Sequence, residues 1–283
     1  MLSLPRPLLA LAGTLALLLS SQTRAQQQDV PYVPTPQVVV EAMLDLAAVR
    51  QGDVVYDLGS GDGRIPITAA QRGARGLGVE IVPDLVRQSQ ENARVAGVQN
   101  RVEFRTQDLF QTDLSPATVL TLYLLPEVNL RLRDRILGLR PGTRVVSHDF
   151  NMGEWRPDRT VTVQGPTREH TLYFWNVPAR VAGTWTFTLQ TPQGARQYTL
   201  RLAQTFQRIT GQLSAGGQSI PVLSTELNGE TMGFTFQDTI GGQRSNFTVS
   251  GRVSGNTYAA SAVIVGGPLA GTRQLTASRT PTN

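Results

Sequence analysis

One stretch decides the fold: Val54-Val-Tyr-Asp-Leu-Gly-Ser-Gly-Asp-Gly-Arg64. Its first five residues are mostly apolar and include Tyr56, which predicts a short buried strand. Gly59, Gly61 and Gly63 then predict a tight loop, because glycine adopts positive φ without strain. Residues 65–72 predict the helix that follows. A strand, a glycine-rich turn and a helix together are typical of cofactor binding in a doubly wound α/β fold.

The loop carries acidic residues where a dinucleotide-binding loop would approach phosphate. Asp57 and Asp62 lie in or beside it. Their negative charge would repel a pyrophosphate, which otherwise binds at the positive end of the following helix. S-adenosylmethionine has an ammonium, a sulfonium and no phosphate, so it is the cofactor that we expect. An ordinary glycine-rich turn in another α/β domain is the alternative.

An acidic residue also ends the second predicted strand, which spans residues 76–81. Glu80 lies 23 positions after Asp57. In this fold an acidic side chain at that strand end accepts hydrogen bonds from ribose hydroxyls. The alternative is a helix-capping acid, since Pro83 opens the next predicted helix. The residue type, the strand end and the spacing all favour the ribose role.

The motif Asp57-Leu-Gly-Ser-Gly-Asp-Gly63 resembles the first motif of class I S-adenosylmethionine-dependent methyltransferases. Tyr32-Val-Pro-Thr-Pro36, Gly78-Val-Glu80 and Asp108-Leu109 extend the resemblance, which covers residues 32–158. Over that range the chain is similar to bacterial class I enzymes that in turn resemble the lysine methyltransferases of the ATP synthase c-subunit. The resemblance implies a Rossmann-like methyltransferase sheet and S-adenosylmethionine-dependent methyl transfer, with a protein lysine as a candidate acceptor.

The resemblance also implies a role for the matched positions. Asp108 and Leu109 would contact adenine, and the residues before the first helix would close over the cofactor. The expected cofactor-binding residues are Tyr32, Thr35, Asp57, Gly59, Ser60, Gly61, Gly63, Glu80, Asp108 and Leu109. The carboxyl end of the fourth strand would present the methyl group to its acceptor. The expected catalytic or acceptor-positioning residues are Tyr123, Glu127 and Asn129.

Several of these positions have simpler interpretations. Tyr123 could be a packed strand aromatic. Thr35 is also a candidate N-cap, with Pro36 opening a helix. His148 lies in the predicted fifth strand, residues 143–150, and a polar pocket wall or a satisfied core histidine is favoured there over a catalytic base.

The composition excludes several kinds of chemistry. The chain has no cysteine, two histidines and no lysine, since all 26 of its basic residues are arginine. Disulfides, a thiol nucleophile and cysteine metal sites are therefore excluded, and a multi-histidine metal site is disfavoured, so we expect no metal. A lysine nucleophile and self-methylation on a lysine side chain are excluded too.

The N-terminal residues 1–25 predict a secretory signal peptide. Arg6 precedes an apolar run over residues 8–19, and Thr23-Arg24-Ala25 fits a cleavage site. We therefore expect an exported protein in the periplasm or cell envelope. The alternative is an uncleaved segment that anchors the protein at the membrane.

The remaining chain divides into two predicted domains. Residues 26–178 form the methyltransferase domain, which has 16 arginines and 18 acidic residues. Residues 179–283 form a β-rich domain, either a small antiparallel barrel or a sandwich, with eight arginines and three acidic residues. The net positive charge of this domain is mild, so nucleic acid is a disfavoured partner.

The end of the predicted fourth strand, which spans residues 118–125, bears on the acceptor. Leu122-Tyr-Leu-Leu-Pro126 is not the Asn-Pro-Pro-Tyr type of motif seen in nucleic-acid and glutamine amino-group methylation. The acceptor is therefore open, with a protein as one candidate. The alternative function is an exported, non-catalytic binding protein on a methyltransferase scaffold.

Overall fold

The computed structural model describes residues 32–280, so the predicted signal peptide lies outside the described residues. Its first half is a seven-stranded sheet with the order β3-β2-β1-β4-β5-β7-β6. The first five strands are parallel, and β7 is antiparallel to both β5 and β6. The strands are β1 Val54–Leu58, β2 Arg75–Glu80, β3 Val102–Thr106, β4 Val119–Leu122, β5 Arg144–His148, β6 Arg159–Gln164 and β7 Glu169–Asn176.

Four helices cover the two faces of this sheet. They are α1 Gln37–Leu46, α2 Arg64–Gln71, α3 Pro83–Val95 and α4 Pro126–Leu137. Apolar residues of α1 and α2 pack with β1, β4, β5 and β7 in one core cluster, and α2 and α3 share a second cluster with β3. Apolar residues of α4 belong to a third cluster with the two buried tryptophans Trp155 and Trp175.

The strand order reverses between β1 and β4. From β1 the chain moves outward to β2 and β3, and it then crosses back to β4 on the other side of β1. Ligands in doubly wound sheets bind at such a reversal, at the carboxyl ends of the strands. This reversal places the glycine-rich loop after β1 beside the segment that follows β4.

Three local features differ from the sequence predictions, which are a helix cap at Thr35, a third strand over residues 102–109 and a helix over residues 129–139. Helix α1 begins at Gln37, and Pro36 in the cap position has no side-chain cap, so the predicted capping role of Thr35 is wrong. Strand β3 ends at Thr106, and Asp108 caps a short 3₁₀ turn over Leu109–Gln111 instead. Helix α4 begins at Pro126, because proline is well tolerated in the first turn of a helix.

The second half is one nine-stranded antiparallel sheet with the order β11-β10-β9-β8-β16-β15-β14-β13-β12. The sheet curls until it is nearly closed, and Thr225 of β12 donates a hydrogen bond to the Ile209 carbonyl of β10 at 2.5 Å. Its inner face holds a single apolar core. The strands are β8 Gly183–Thr191, β9 Gly194–Thr205, β10 Arg208–Ala215, β11 Gln218–Ile220, β12 Val222–Asn228, β13 Thr231–Ile240, β14 Gln243–Ser254, β15 Thr257–Val265 and β16 Gly271–Thr280.

A Rossmann-like sheet followed by an all-β domain confirms the predicted fold class. The predicted boundary at Pro178 falls between the two sheets. Within residues 32–280, no helix has both the length and the apolar character needed to cross a membrane.

The β-rich domain is attached at the amino-end edge of the first sheet. The Ala179 amide donates to the Gly229 carbonyl at 2.7 Å, and the side chains of Asn176 and Asn228 are hydrogen-bonded at 2.7 Å. Gly229 also packs against Gly142, just before β5 begins. The carboxyl ends of β1 and β4 lie at the opposite edge. The β-rich domain is therefore placed away from the edge where a cofactor would bind.

The aromatic side chain of Phe206 contributes to this attachment. Its ring stacks on Trp155 with 6.3 Å between ring centroids, and the Arg133 guanidinium lies 5.6 Å from its centroid. We expect Phe206→Ala to weaken the contact between the domains by about 1–3 kcal/mol, because it removes both ring contacts. Limited proteolysis near residue 180 should become faster than in the wild type. Leu223→Ala, at a 59% exposed position of β12, is the control and should leave cleavage unchanged.

Candidate cofactor and acceptor site

A buried carboxylate lies at the centre of the site. Asp57, in β1, is 3% exposed and accepts a hydrogen bond from the Thr121 hydroxyl of β4 at 2.7 Å. Burial is the main cause that raises the pKa of Asp57, the Thr121 hydrogen bond lowers it, and the charges of Glu80 and Asp62 raise it, so that the pKa is about 7. Among residues 32–280, no cationic side chain offsets this carboxylate, so a positively charged ligand would stabilise its ionised form.

The glycine-rich loop is closely covered by other parts of the chain. Gly61 and Gly63 have φ values of +53° and +79°, in the left-handed region. A Cβ atom on Gly61 would overlap the ring of Tyr32, and one on Gly63 would lie 2.6 Å from Phe104 Cζ. The loop therefore requires glycine both for its backbone conformation and for space.

Glu80 ties the end of β2 to this loop. One carboxylate oxygen accepts from the Gly61 amide at 3.0 Å. The other accepts from the amides of Ile81 and Val82 at 2.8 and 3.0 Å. Three backbone donors thus fix a buried carboxylate whose remaining lone pairs can accept from hydroxyl groups.

Asp62 and Arg64 form an ion pair at the start of α2. The guanidinium donates to both carboxylate oxygens, and it also donates to the Thr35 carbonyl at 2.7 Å. Burial alone would raise the pKa of Asp62, but hydrogen bonds and charge from Arg64 hold that pKa below its usual range. Arg64 thereby connects the loop to the segment preceding α1.

A cavity of about 190 Å³ lies between this loop and the segment after β4. At one side its wall is aromatic, because the rings of Tyr123 and Phe150 stack with 6.3 Å between centroids. Burial raises the pKa of the Tyr123 phenol, as does the charge of Asp149, so the phenol stays neutral. The lining residues are Tyr32, Val33, Pro34, Thr35, Asp57, Gly59, Ser60, Asp62, Arg64, Ile65, Glu80, Tyr123, Leu124, Leu125 and Phe150.

Seven of the 13 predicted site residues line this cavity, and Gly61 and Gly63 lie in the loop beside it but outside its lining. Asp108 and Leu109 lie at the end of β3, on the same sheet edge but outside the cavity lining, and Asp108 accepts from the Phe110 amide at 2.8 Å. Glu127 is exposed in the first turn of α4. Asn129 is fully buried, and its amide donates to Ser147 and to the carbonyls of Phe150 and Asn151. The adenine and acceptor roles of these four residues stay predictions.

Two cavity residues that the sequence analysis did not single out are Phe150 and Leu124. Both follow directly after parallel strands, β5 and β4, whose ends meet at the cofactor edge. The position after a central parallel strand was the signal that could have identified them.

His148 is a buried residue behind the cavity wall. Its Nδ1 lies 3.2 Å from the Thr35 hydroxyl, and its Nε2 lies 2.7 Å from His170 Nδ1. The Tyr123 ring lies against it, with 3.9 Å between centroids. Burial lowers the pKa of His148 to about 4, so the ring is neutral at pH 7. The structure places His148 as a satisfied polar residue behind the wall, which agrees with the favoured interpretation.

The residues present fit S-adenosylmethionine. Asp57 is a buried carboxylate that needs a cation, and the Ser60 hydroxyl is buried with no partner among the described residues. Gly59 lines the cavity with backbone alone. Asp57 could therefore interact with the cationic end of the cofactor, and Glu80 with its ribose.

Comparison with known proteins identifies the family. A family model described as the ANTKMT methyltransferase domain matches residues 57–159. A protein-lysine N-methyltransferase from Saccharolobus islandicus is 44% identical over 149 residues, covering 52% of this chain and 92% of that protein. The chain belongs to this family of methyltransferases. The human ATP synthase c-subunit lysine N-methyltransferase is 33% identical over 136 residues, covering 48% of this chain and 58% of that protein.

A solved structure shows the cofactor class. The RNA methyltransferase from Salinibacter ruber in complex with S-adenosyl-L-homocysteine is 58% identical, with a TM-score of 0.50, and the match covers 53% of this chain and 96% of that one. This methyltransferase therefore uses S-adenosylmethionine as its cofactor, as the acidic loop predicted. The findings give no support to a non-catalytic binding protein. The family model matches residues 57–159, so it does not describe the β-rich domain.

We expect the buried carboxylate of Asp57 to favour cofactor binding while it lowers the stability of the folded protein. The pKa of Asp57 is higher in the folded state than in an unfolded chain, where it is about 4. Its contribution to stability is therefore fully present below pH 4 and is lost as pH rises through 7. We expect Asp57→Asn to raise the apparent melting temperature at pH 8 by a few degrees and to abolish cofactor binding. Differential scanning fluorimetry and calorimetric titration measure the two effects, and an unchanged affinity would contradict the role of Asp57.

The same carboxylate predicts how affinity depends on pH. S-adenosylhomocysteine keeps the ammonium group, which requires ionised Asp57. We expect wild-type affinity to be roughly tenfold weaker at pH 5.5 than at pH 7.5, because protonation of Asp57 competes with binding. Calorimetric titration at both pH values measures the change. Glu91→Gln, at an exposed position of α3, is the control and should show the same dependence as the wild type.

Proposed function

We propose that this methyltransferase transfers the methyl group of S-adenosylmethionine to a lysine ε-amino group of a protein. The observation that carries the proposal is the aromatic wall of the cavity, formed by Tyr123 and Phe150 after strands β4 and β5. Aromatic faces accommodate an aliphatic chain and attract the ammonium group that it carries. The name of the Saccharolobus relative, a protein-lysine N-methyltransferase, supports the same acceptor.

The electrostatics of the cavity support an amine acceptor over RNA. Arg64 is the cationic side chain in the lining, and Asp62 pairs with it. Residues 26–179 hold 16 arginines and 18 acidic residues, a net charge of −2. Binding of an RNA backbone would require a positive surface beside the cavity. The Salinibacter protein is described as an RNA methyltransferase, so an RNA acceptor is the second outcome that a test must address.

Mechanistically, the residues of this chain bind and orient the two reactants. When bound, S-adenosylmethionine would supply an electrophilic methyl group to the acceptor nitrogen. Asp57 and Glu80 would hold the cofactor, and Tyr123 would orient the acceptor. The acceptor must arrive as a free amine, because an ammonium nitrogen has no lone pair. Proximity and orientation then provide most of the rate.

The absence of lysine in this chain means that self-methylation cannot contribute methyllysine to a test of the acceptor. Every methyllysine formed must belong to the acceptor, because the enzyme has no lysine of its own. We expect label from methyl-tritiated cofactor to enter a bacterial envelope-protein extract and to be recovered as methyllysine after hydrolysis. Acetylation of the lysines beforehand should remove the signal, because an acetylated ε-nitrogen is an amide and is no longer nucleophilic. Labelling of total RNA instead would overturn the lysine proposal.

Variants separate cofactor binding from acceptor positioning. Tyr123→Ala removes one ring of the aromatic wall, so we expect kcat/KM for the protein acceptor to fall by roughly 10- to 100-fold. The affinity for S-adenosylhomocysteine should stay within about threefold, because Asp57 and Glu80 are intact. Glu91→Gln is the control for both measurements. An unchanged kcat/KM in the Tyr123 variant would contradict its role at the acceptor.

We also propose that the protein is exported, on the strength of the signal-like residues 1–25. Cell fractionation with N-terminal sequencing of the mature protein tests this location. A new N-terminus at residue 26 in the periplasmic fraction supports cleavage. An intact N-terminus in the membrane fraction supports the anchored alternative, and recovery from the cytoplasm contradicts export.

A further inference from the structure

The two histidines of the chain lie next to each other behind the aromatic wall of the cavity. The sequence contains only His148 and His170, 22 positions apart, and the structure buries both. They lie on the neighbouring antiparallel strands β5 and β7. His148 Nε2 and His170 Nδ1 are 2.7 Å apart.

A carboxylate completes the group. Asp149 Oδ2 lies 3.3 Å from His148 Nε2 and 3.5 Å from His170 Nδ1. The other carboxylate oxygen accepts from the Thr171 amide at 2.9 Å, which fixes the orientation of the carboxyl group. Asp149 has a φ of +60°, in the left-handed region that few residues other than glycine adopt. Such a conformation is maintained only where the surrounding structure holds it, and it occurs frequently at functional sites.

We propose that His148, Asp149 and His170 form a binding site for a divalent transition-metal ion such as Zn²⁺. Their three potential ligand atoms form a triangle with edges of 2.7, 3.3 and 3.5 Å. Ligand atoms at about 2.1 Å from one zinc ion are separated by roughly 3.0–3.4 Å, so only small shifts are needed. Two imidazoles with one carboxylate also suit the chemistry of zinc.

The ring nitrogen of His148 that points away from His170 already has a hydrogen-bond partner, as the second nitrogen of a metal-bound histidine usually does. Its Nδ1 is 3.2 Å from the Thr35 hydroxyl, and a second hydrogen bond of this kind fixes the orientation of ligating histidines. Ion binding then needs only a change of tautomer in the pair. Each neutral ring keeps one proton, on His148 Nδ1 and on His170 Nε2, and frees the nitrogen that faces its neighbour.

Arg168 is the cation that would compete with a metal ion. Its guanidinium donates to Asp149 Oδ2, and its side chain is 51% exposed. The Asp149 side chain is only 14% exposed, but its partner Arg168 extends to solvent, so a doubly charged ion can compete with this guanidinium for the carboxylate. Arg168 also shows that the group borders the surface. Removal of the Arg168 charge should therefore strengthen metal binding, an effect that a purely structural histidine pair would not show.

An ion bound at this site would affect the aromatic wall of the cavity. The ring of His148 lies 3.9 Å, between centroids, from the Tyr123 ring, and the Thr35 hydroxyl at its other side belongs to a residue that lines the cavity. An ion that immobilises His148 would therefore hold two lining residues in place. This inference does not depend on which acceptor the enzyme methylates.

Metal titration of the full protein, prepared without a histidine tag and stripped with a chelator, tests the site. We expect calorimetry to show one Zn²⁺ per chain with a micromolar or tighter Kd, and Co²⁺ to produce visible absorption bands. His170→Ala and Asp149→Asn should weaken binding at least tenfold. Arg168→Gln should strengthen it severalfold, because the competing cation is removed. Glu91→Gln, which breaks an exposed ion pair with Arg94, should match the wild type.

Nitrogen NMR of the wild-type imidazoles provides a readout that needs no variant. With only two histidines in the chain, both ring systems should shift on addition of one equivalent of Zn²⁺. Absence of Zn²⁺ binding by the wild type would overturn the proposal. So would binding that leaves both imidazoles unshifted, or that persists at wild-type strength in His170→Ala.

Discussion

The cofactor site depends on a carboxylate that has been removed from water without a cation. Asp57 lies where the strand order reverses, and Thr121 from the neighbouring strand β4 fixes its orientation. Glu80 and Asp62 add negative charge nearby, and the single arginine in the lining is bound by Asp62. The site is therefore short of positive charge. A cationic ligand restores the balance, and an anionic one would worsen it, so the same arrangement both disfavours the empty protein and selects the cofactor.

Much of the first domain could be predicted because its signals are local. A continuous apolar strand, a loop that requires glycine and an acidic residue at the next strand end each follow from a few neighbouring residues. Boundaries were less predictable, since they depend on tertiary contacts. Thr35 has the side chain of a helix cap, yet its hydroxyl bonds to His148, which is 113 positions away. Asp108 ends the predicted third strand, but the strand stops at Thr106 because the chain turns into a 3₁₀ helix.

The second domain was predictable as a class but not in detail. Strands with large inward side chains, such as Trp185 and Phe187 in β8, are clear in the sequence. The last strand, β16, buries only Leu275 and Ala277 among its ten residues, so its alternation is weak. No local pattern specifies that β16 pairs with β8. That pairing joins the two ends of the domain and determines how the sheet closes.

The residues behind the aromatic wall show that amino-acid composition alone does not reveal which side chains the fold brings together. Two histidines in 283 residues disfavour a metal centre when they are counted, since most such centres use more ligands. The fold nevertheless brings the two histidines together, because β5 and β7 are adjacent and antiparallel, and the hairpin of β6 and β7 returns His170 to the end of β5. A backbone conformation at Asp149 that sequence cannot reveal then places a carboxylate beside both rings. Asp57 and the glycine-rich loop are encoded in one short motif, whereas the proposed acceptor wall is assembled from residues that follow separate strands. Only the folded chain brings those residues together, and this is why the proposed acceptor wall was the harder part to predict.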